Sequence, residues 1–126
     1  MHQHNAILVE DEPLISLMIQ DYLADLGWAV DGTAHTEADA FALLNGCRPE
    51  LALLDINLGK TTSLAVASAC RDMGIAVVFI TGYVARDVPY QCGNSPVLPK
   101  PFSPADLQVA LRRGLAQVDE YQHAPI

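Results

Sequence analysis

Short apolar runs of strand length alternate with segments of helical period along this chain of 126 residues. The alternation recurs five times, which is typical of β/α units arranged around a parallel sheet. The predicted strands are AILV at residues 6–9, WAVDGTA at 28–34, LALLD at 51–55, AVVFIT at 76–81 and a short SPVLP run around Val97. The third run is nearly all apolar, as expected for a strand covered on both faces, so we place it at the centre of the sheet.

Helical period predicts helices at residues 13–26, 36–44, 63–73 and 103–117. In the first of these the apolar side chains that recur at helical spacing are Leu14, Leu17, Met18, Tyr22 and Leu26. In the last, Leu107, Leu111 and Leu115 share one face. Residues 82–95 contain two glycines, a proline and few good helix formers, which predicts a fourth helix that is weak or mobile.

Length and composition predict one domain, with a core at about residues 5–118 and a short tail at 119–126. The apolar fraction of 51% is that of a globular protein, and no apolar run approaches the roughly 20 residues of a membrane span. The polar start MHQHNA is unlike a secretion signal. Three cysteines lie far apart without a C-x-x-C pair, and we expect reduced thiols and a cytoplasmic location.

Seven Lys and Arg against fifteen Asp and Glu give a net charge of −8. Such a surface repels nucleic acid and anionic membranes, so we expect neither direct DNA binding nor membrane binding. The four histidines show no metal-ligand spacing and are interpreted as surface residues.

Polar residues follow the predicted strands where the strands end. Glu10 and Asp11 follow the first strand, Asp55 ends the third, Thr81 ends the fourth and Lys100 follows the fifth. In parallel sheets, ligands bind beyond these carboxyl ends, so the five side chains should converge on one edge.

Several carboxylates in one small space repel each other unless a cation with a preference for oxygen ligands neutralises them. Magnesium fits best, because it takes one or two carboxylates and keeps other positions for water and phosphate oxygens. We predict that Asp11, Asp55 and a backbone carbonyl near Asn57 bind it.

Four motifs that span nearly the whole chain resemble the receiver domains of two-component response regulators: VEDEP, LLDINLG, FITGY and LPKPF. Each motif is weak alone, but together and in this order they are specific. The resemblance implies a flavodoxin-like (CheY-like), doubly wound, five-stranded parallel α/β fold with strand order 2-1-3-4-5.

The resemblance also implies roles for individual residues. Asp55 would be the phosphoacceptor, Asp11 a magnesium ligand, and Glu10 an acidic residue that acts on magnesium through water. Asn57 would bind magnesium through its backbone carbonyl, and Thr81 and Lys100 would bind the phosphoryl oxygens. The Lys100–Pro101 peptide would be cis. The implied function is that of a phosphoprotein in phosphorelay signal transduction: a switch that phosphorylates itself and loses the phosphoryl group, rather than a free-standing enzyme.

The FITGY run and the NLG after Asp55 are similar to a subgroup of single-domain receivers called the FATGUY group. That resemblance implies sensor histidine kinases of the HWE/HisKA2 type as partners. Many receivers carry an aromatic residue three positions before the lysine, where this chain has Val97. We therefore expect Gly82 and Tyr83 to take the part of the conformational switch.

Two alternative phosphate-handling sites do not fit the sequence, while other functions of a receiver domain remain open. Gly59-Lys60-Thr61 imitates the end of a phosphate-binding P-loop, but Leu54 stands where its first glycine is required. A haloacid dehalogenase phosphatase would need a second Asp at Asn57. The chain could also act as a phosphate sink, as a shuttle to a phosphotransfer protein, or as a binding module independent of phosphorylation; the effector protein is unknown.

Overall fold

The computed structural model describes residues 3–82 and 87–123, with side chains as far as residue 118. The strands in this part of the chain are Asn5–Val9 (β1), Ala29–Ala34 (β2), Leu51–Asp55 (β3), Ala76–Thr81 (β4) and Val97–Pro99 (β5). The α-helices are Pro13–Asp25 (α1), Glu37–Gly46 (α2), Leu64–Asp72 (α3) and Pro104–His123 (α4). Each predicted strand and helix is present, and α4 extends six residues beyond its predicted end at residue 117.

The five strands form one sheet in the order β2-β1-β3-β4-β5, and every neighbouring pair is parallel. All five residues of β3 are buried, in keeping with its central position. The predicted doubly wound, flavodoxin-like α/β fold is therefore confirmed.

Alternate side chains of β3 enter two separate cores. Leu51 and Leu53 face the side on which α1 and α4 pack, while Ala52 and Leu54 face the side of α2 and α3. Helices thus cover both faces of the sheet, which is why β3 is apolar along its whole length. This arrangement holds the carboxyl end of β3 rigidly between its neighbours.

Several of the apolar residues that recur at helical spacing along α1 do not face the core. Leu14 and Leu17 are 81% and 57% exposed, and Met18 is at the border of exposure, whereas Ser16, Ile19 and Leu23 are the buried residues. Apolar side chains occur nearly all round this helix, so periodicity alone could not select the packed side. Leu14, Leu17 and Met18 form an exposed apolar cluster, here called the α1 patch.

Local capping agrees with the sequence. The Thr36 hydroxyl accepts a hydrogen bond of 3.1 Å from the Asp39 amide at the start of α2. At the start of α4, the Ser103 amide donates to the Asp106 carboxylate and the Asp106 amide donates to the Ser103 hydroxyl, each at 3.1 Å. Such reciprocal bonds satisfy amides that have no partner within the helix.

The segment between β4 and β5 is irregular where it is described. Residues 87–96 contain a 3₁₀ turn at Tyr90–Cys92 and no α-helix, in agreement with the predicted weak fourth helix. Gly82 is exposed, and Tyr83 lies outside the described residues. A search of residues 3–82 and 87–123 finds no helix with the length and apolar character needed to cross a membrane.

Candidate functional site

The carboxyl ends of β1, β3 and β4 bring three buried polar residues to one edge of the sheet. Glu10 is fully buried, Asp55 is 5% exposed and Thr81 is 2% exposed. They are unusual in a core that is otherwise almost wholly apolar, because burying a polar or charged group is costly without a compensating partner. The half-buried Asp11 lies beside them at the start of the loop that leads to α1.

Lys100 supplies a positive charge to this edge. Its Nζ lies 2.8 Å from Asp55 Oδ2 and 2.8 Å from Glu10 Oε1. Its backbone amide donates a hydrogen bond of 2.8 Å to the Thr81 carbonyl, and the Lys100–Pro101 peptide is cis. Lys100 therefore connects the ends of three strands through one side chain and one backbone bond.

The closeness of these charges shifts two pKa values. Burial, and after it the neighbouring Asp55 carboxylate, raise the pKa of Glu10 to about 7 against the opposing effect of Lys100. Burial by itself lowers the pKa of Lys100, but hydrogen bonds and charge from Asp55 and Glu10 outweigh burial, so the pKa of Lys100 is raised. The lysine is thus charged at neutral pH, while Glu10 is poised to lose a proton if a second cation arrives.

The carboxylates fit a divalent cation. Glu10, Asp11 and Asp55 each offer one oxygen, and these three oxygens lie within 4.8 Å of one another. Three carboxylates against one ammonium group leave an excess of negative charge when all are ionised. A small cation that prefers oxygen ligands, such as magnesium, would relieve it.

The loop after β3 approaches the same edge. The Asn57 amide donates to Asp55 Oδ1 at 3.2 Å, and the Gly59 amide donates to Asn57 Oδ1 at 3.2 Å. A Cβ placed on Gly59 would lie 3.9 Å from Asp11 Oδ2, which shows how near this loop is to the acidic group. The role of the Asn57 carbonyl in binding magnesium stays a prediction.

The structure also brings in a residue that the sequence did not indicate. The Nδ1 atom of His35 lies 2.8 Å from the backbone carbonyl oxygen of Glu10. The prediction that His35 is a surface residue agrees with its exposed side chain. Its position directly after β2 places it next to the strand that bears the acidic pair, but no residue type in the sequence marks the backbone carbonyl as its partner.

Comparison with known proteins indicates the family to which the chain belongs. Residues 6–112 match the family model of the response regulator receiver domain. The phyllosphere-induced regulator PhyR of Methylorubrum extorquens is 32% identical over 116 residues, which is 86% of this chain and 42% of PhyR. The transcriptional regulatory protein PdtaR of Mycobacterium tuberculosis is 27% identical over 90% of this chain and 58% of its own length. The chain thus spans about half the length of these relatives.

Solved structures of similar fold include response regulator receiver domains. SdrG from Sphingomonas melonis Fr1 is 36% identical with a TM-score of 0.70, and the match covers 94% of this chain and 98% of SdrG. A CheY-like response regulator receiver domain from Methanospirillum hungatei JF-1 has a TM-score of 0.81 at 21% identity, with 95% of this chain and 99% of that chain covered. The chain therefore belongs to the response regulator receiver domain family.

Proposed function

We propose that this chain is a single-domain response regulator that accepts a phosphoryl group on Asp55 and signals through a change of conformation to a protein partner. The observation that carries the proposal is the contact of Lys100 with Asp55 beside two further carboxylates, all at the carboxyl edge of the sheet. A buried nucleophile on a rigid strand, a fixed positive charge and an acidic cluster for a divalent cation are the parts that phosphoryl transfer requires.

In the proposed reaction, an Asp55 oxygen forms a bond to phosphorus while the bond between phosphorus and the donor's histidine nitrogen breaks. The electron pair of that broken bond stays on the departing imidazole. Lys100 holds negative charge on the phosphoryl oxygens, and the Thr81 hydroxyl donates a hydrogen bond to one of them. Asp11, Asp55 and the Asn57 backbone carbonyl would hold magnesium, with Glu10 acting on it through water. The bound ion would supply positive charge that offsets the repulsion between the carboxylates and the phosphoryl group.

The donor in this proposal is a sensor histidine kinase or a phosphotransfer protein. The similarity to the FATGUY group favours a kinase of the HWE/HisKA2 type. The chain is itself the phosphoryl acceptor in this reaction, and it later loses the phosphoryl group to water. We place this switch in the cytoplasm, and Tyr83 and Gly82 beside Thr81 are its proposed relay.

The test is incubation of the purified protein with acetyl phosphate, followed by intact-protein mass measurement. The wild type should gain one phosphoryl group only when magnesium is present, Asp55→Asn should gain none, and the exposed Asp72 offers a matched control through Asp72→Asn. Modification of Asp55→Asn to the same extent as the wild type would overturn the choice of nucleophile. A pull-down with phosphorylated and unphosphorylated protein then separates a switch, which should retain a partner in only one state, from a phosphate sink.

A further inference from the structure

His35 makes a hydrogen bond whose direction the chemistry fixes. Its Nδ1 lies 2.8 Å from the Glu10 carbonyl oxygen, and a carbonyl oxygen can only accept, so Nδ1 carries the proton. On the other side of the same residue, the Glu10 amide donates to the Ala34 carbonyl at 3.0 Å. The backbone of Glu10 is therefore tied to the end of β2 through both its amide and its carbonyl.

The carbonyl that His35 binds belongs to the peptide unit between Glu10 and Asp11, two of the three clustered carboxylates. A peptide unit is planar, so its orientation sets a backbone torsion in each of the residues it joins. Those torsions decide where the two side chains leave the chain. One hydrogen bond from His35 thus acts on the direction of both carboxylates, without contact to either.

We propose that His35 is a positioning residue of the acidic cluster, which holds the Glu10–Asp11 peptide in the orientation that binds a divalent cation. The role of this cation site rests on the proposed function. Its test does not, because cation binding can be measured without phosphoryl transfer. The residue is exposed, so its side chain is not needed to fill the core, and its backbone bond is the contact that the structure gives it.

The test compares two substitutions. Asparagine carries an N–H donor on Cγ, at the same branch point as Nδ1 of histidine, whereas leucine has no donor. His35→Leu should bind magnesium about fivefold more weakly or worse, the loss expected from one hydrogen bond of ordinary strength, and His35→Asn should stay near the wild type. Calorimetric titration of the metal-free proteins with magnesium measures both.

A second histidine provides the control. His4 lies at the start of β1, at the opposite edge of the sheet, where its ring stacks on Trp28 at 4.9 Å and its Nδ1 lies 3.0 Å from a Glu50 carboxylate oxygen. His4→Leu should leave magnesium affinity unchanged, even if it lowers stability. Nitrogen-15 NMR of metal-free wild type should also find the proton of His35 on Nδ1, and the Asp11 amide shift should move in His35→Leu but not in His4→Leu.

Equal magnesium affinity of His35→Leu and wild type would overturn the inference, as would equal weakening by asparagine and leucine. Magnesium affinity that falls in His35→Leu and is kept in His35→Asn would support it. If the wild type binds magnesium but takes no phosphoryl group from acetyl phosphate, the proposed function fails while this inference is still decided by the titration.

Discussion

The Lys100 ammonium nitrogen lies 2.8 Å from Asp55 Oδ2, a pairing of charges at an edge that is largely closed to water. The same nitrogen lies equally close to Glu10, so a single cation serves two carboxylates. A phosphoryl group on Asp55 would bring new negative oxygens to this lysine, and its contact with Asp55 would have to change. Because Lys100 directly follows β5, phosphorylation of Asp55 would therefore change the contacts at the end of that strand.

Lys100→Met should destabilise the metal-free protein by about 1–3 kcal/mol, because removing one partner leaves buried carboxylates without compensation. The same change should increase the extra stability gained from magnesium, since a competing positive charge is gone. Denaturant unfolding at pH 7, with chelator and then with magnesium, measures both effects. The exposed Lys60 gives the matched control Lys60→Met. A gain from magnesium no larger than that of the wild type would contradict this account of the charges.

The raised pKa of Glu10 predicts that the stability of the metal-free protein depends on pH. The pKa of Glu10 in the folded protein, about 7, lies above the ordinary glutamate value of 4.5, so between these values the folded protein holds a proton that the unfolded chain has lost. Stability must then fall as pH rises through this window, by at most about 3–4 kcal/mol for a difference of about 2.5 in pKa at about 1.4 kcal/mol per pKa unit. Unfolding of metal-free protein between pH 5 and about 8 tests this.

Glu10→Gln removes that titrating group. In this variant the fall in stability between pH 5 and about 8 should be smaller than in the wild type, and saturating magnesium should also flatten the wild-type curve, because the cation offsets the charge of ionised Glu10. An identical pH profile for wild type and Glu10→Gln would show that another group is responsible.

The fold class could be predicted from the sequence because the apolar strand-like runs, the helical periods and the polar residues at the strand ends all indicated the same parallel sheet. The uninterrupted apolar run of β3 is typical of a strand buried on both faces, and Asp55 at its end indicates the edge where function should be sought. Glu10, Thr81 and Lys100 follow from the same rule, since parallel strands bring their carboxyl ends together. The alternation of strands and helices predicts the parallel sheet and its shared edge, whereas the strand order is what the resemblance to receiver domains implies.

Two features could not be predicted, for different physical reasons. The buried side of α1 depends on packing against the sheet, and Leu14 and Leu17 satisfy helical period as well as Ile19 and Leu23 do. The bond from His35 ends on a backbone carbonyl, and no residue type in the sequence marks a carbonyl as a partner. Both require the arrangement of β1, β2 and α1 in space.

The α1 patch provides a test of donor docking under the proposed function. Helix α1 begins at Pro13, two residues after Asp11, so Leu14 and Leu17 flank the acidic edge that a phosphohistidine must approach. A protein donor should cover apolar surface there, whereas acetyl phosphate is too small to do so. We expect Leu17→Ser to lower phosphotransfer from a histidine kinase about tenfold and to leave acetyl phosphate uptake unchanged.

Phosphotransfer profiling with purified kinases measures the first rate, and intact mass measures the second. Val109, 51% exposed on α4, gives the control Val109→Ser. Equal kinase-dependent rates for Leu17→Ser and the wild type would show that the donor docks elsewhere. A parallel loss with both donors would instead indicate damage to the site.

Arg71 connects α3 to the irregular segment between β4 and β5 through two hydrogen bonds. We expect these hydrogen bonds to influence how the segment responds to phosphorylation. Its Nη2 donates to the Cys92 carbonyl at 2.8 Å and to the Ser95 hydroxyl at 2.9 Å, and the guanidinium lies 5.8 Å from the centre of the Phe79 ring. The segment lies between Thr81 and Lys100 in the chain. Movement of either residue toward a phosphoryl group should therefore change the conformation of the segment. A conformational equilibrium in such a segment can be shifted by a few kcal/mol of differential interaction.

Arg71→Ala should therefore speed amide exchange at Gly93 and Ser95 and lower the free energy of unfolding by about 1–3 kcal/mol, the value of two charge-assisted hydrogen bonds less their solvation. Arg48, whose bond to the Leu44 carbonyl is 3.4 Å long, gives the control Arg48→Ala, which should change neither quantity appreciably. In the wild type, a phosphoryl mimic with magnesium should slow or redistribute exchange at residues 87–95, and Arg71→Ala should alter that response while Asp55 is still phosphorylated by acetyl phosphate. If exchange in this segment is already slow without the mimic and is the same in wild type and Arg71→Ala, the signal leaves the site by another route, and Arg71 is only a packing residue.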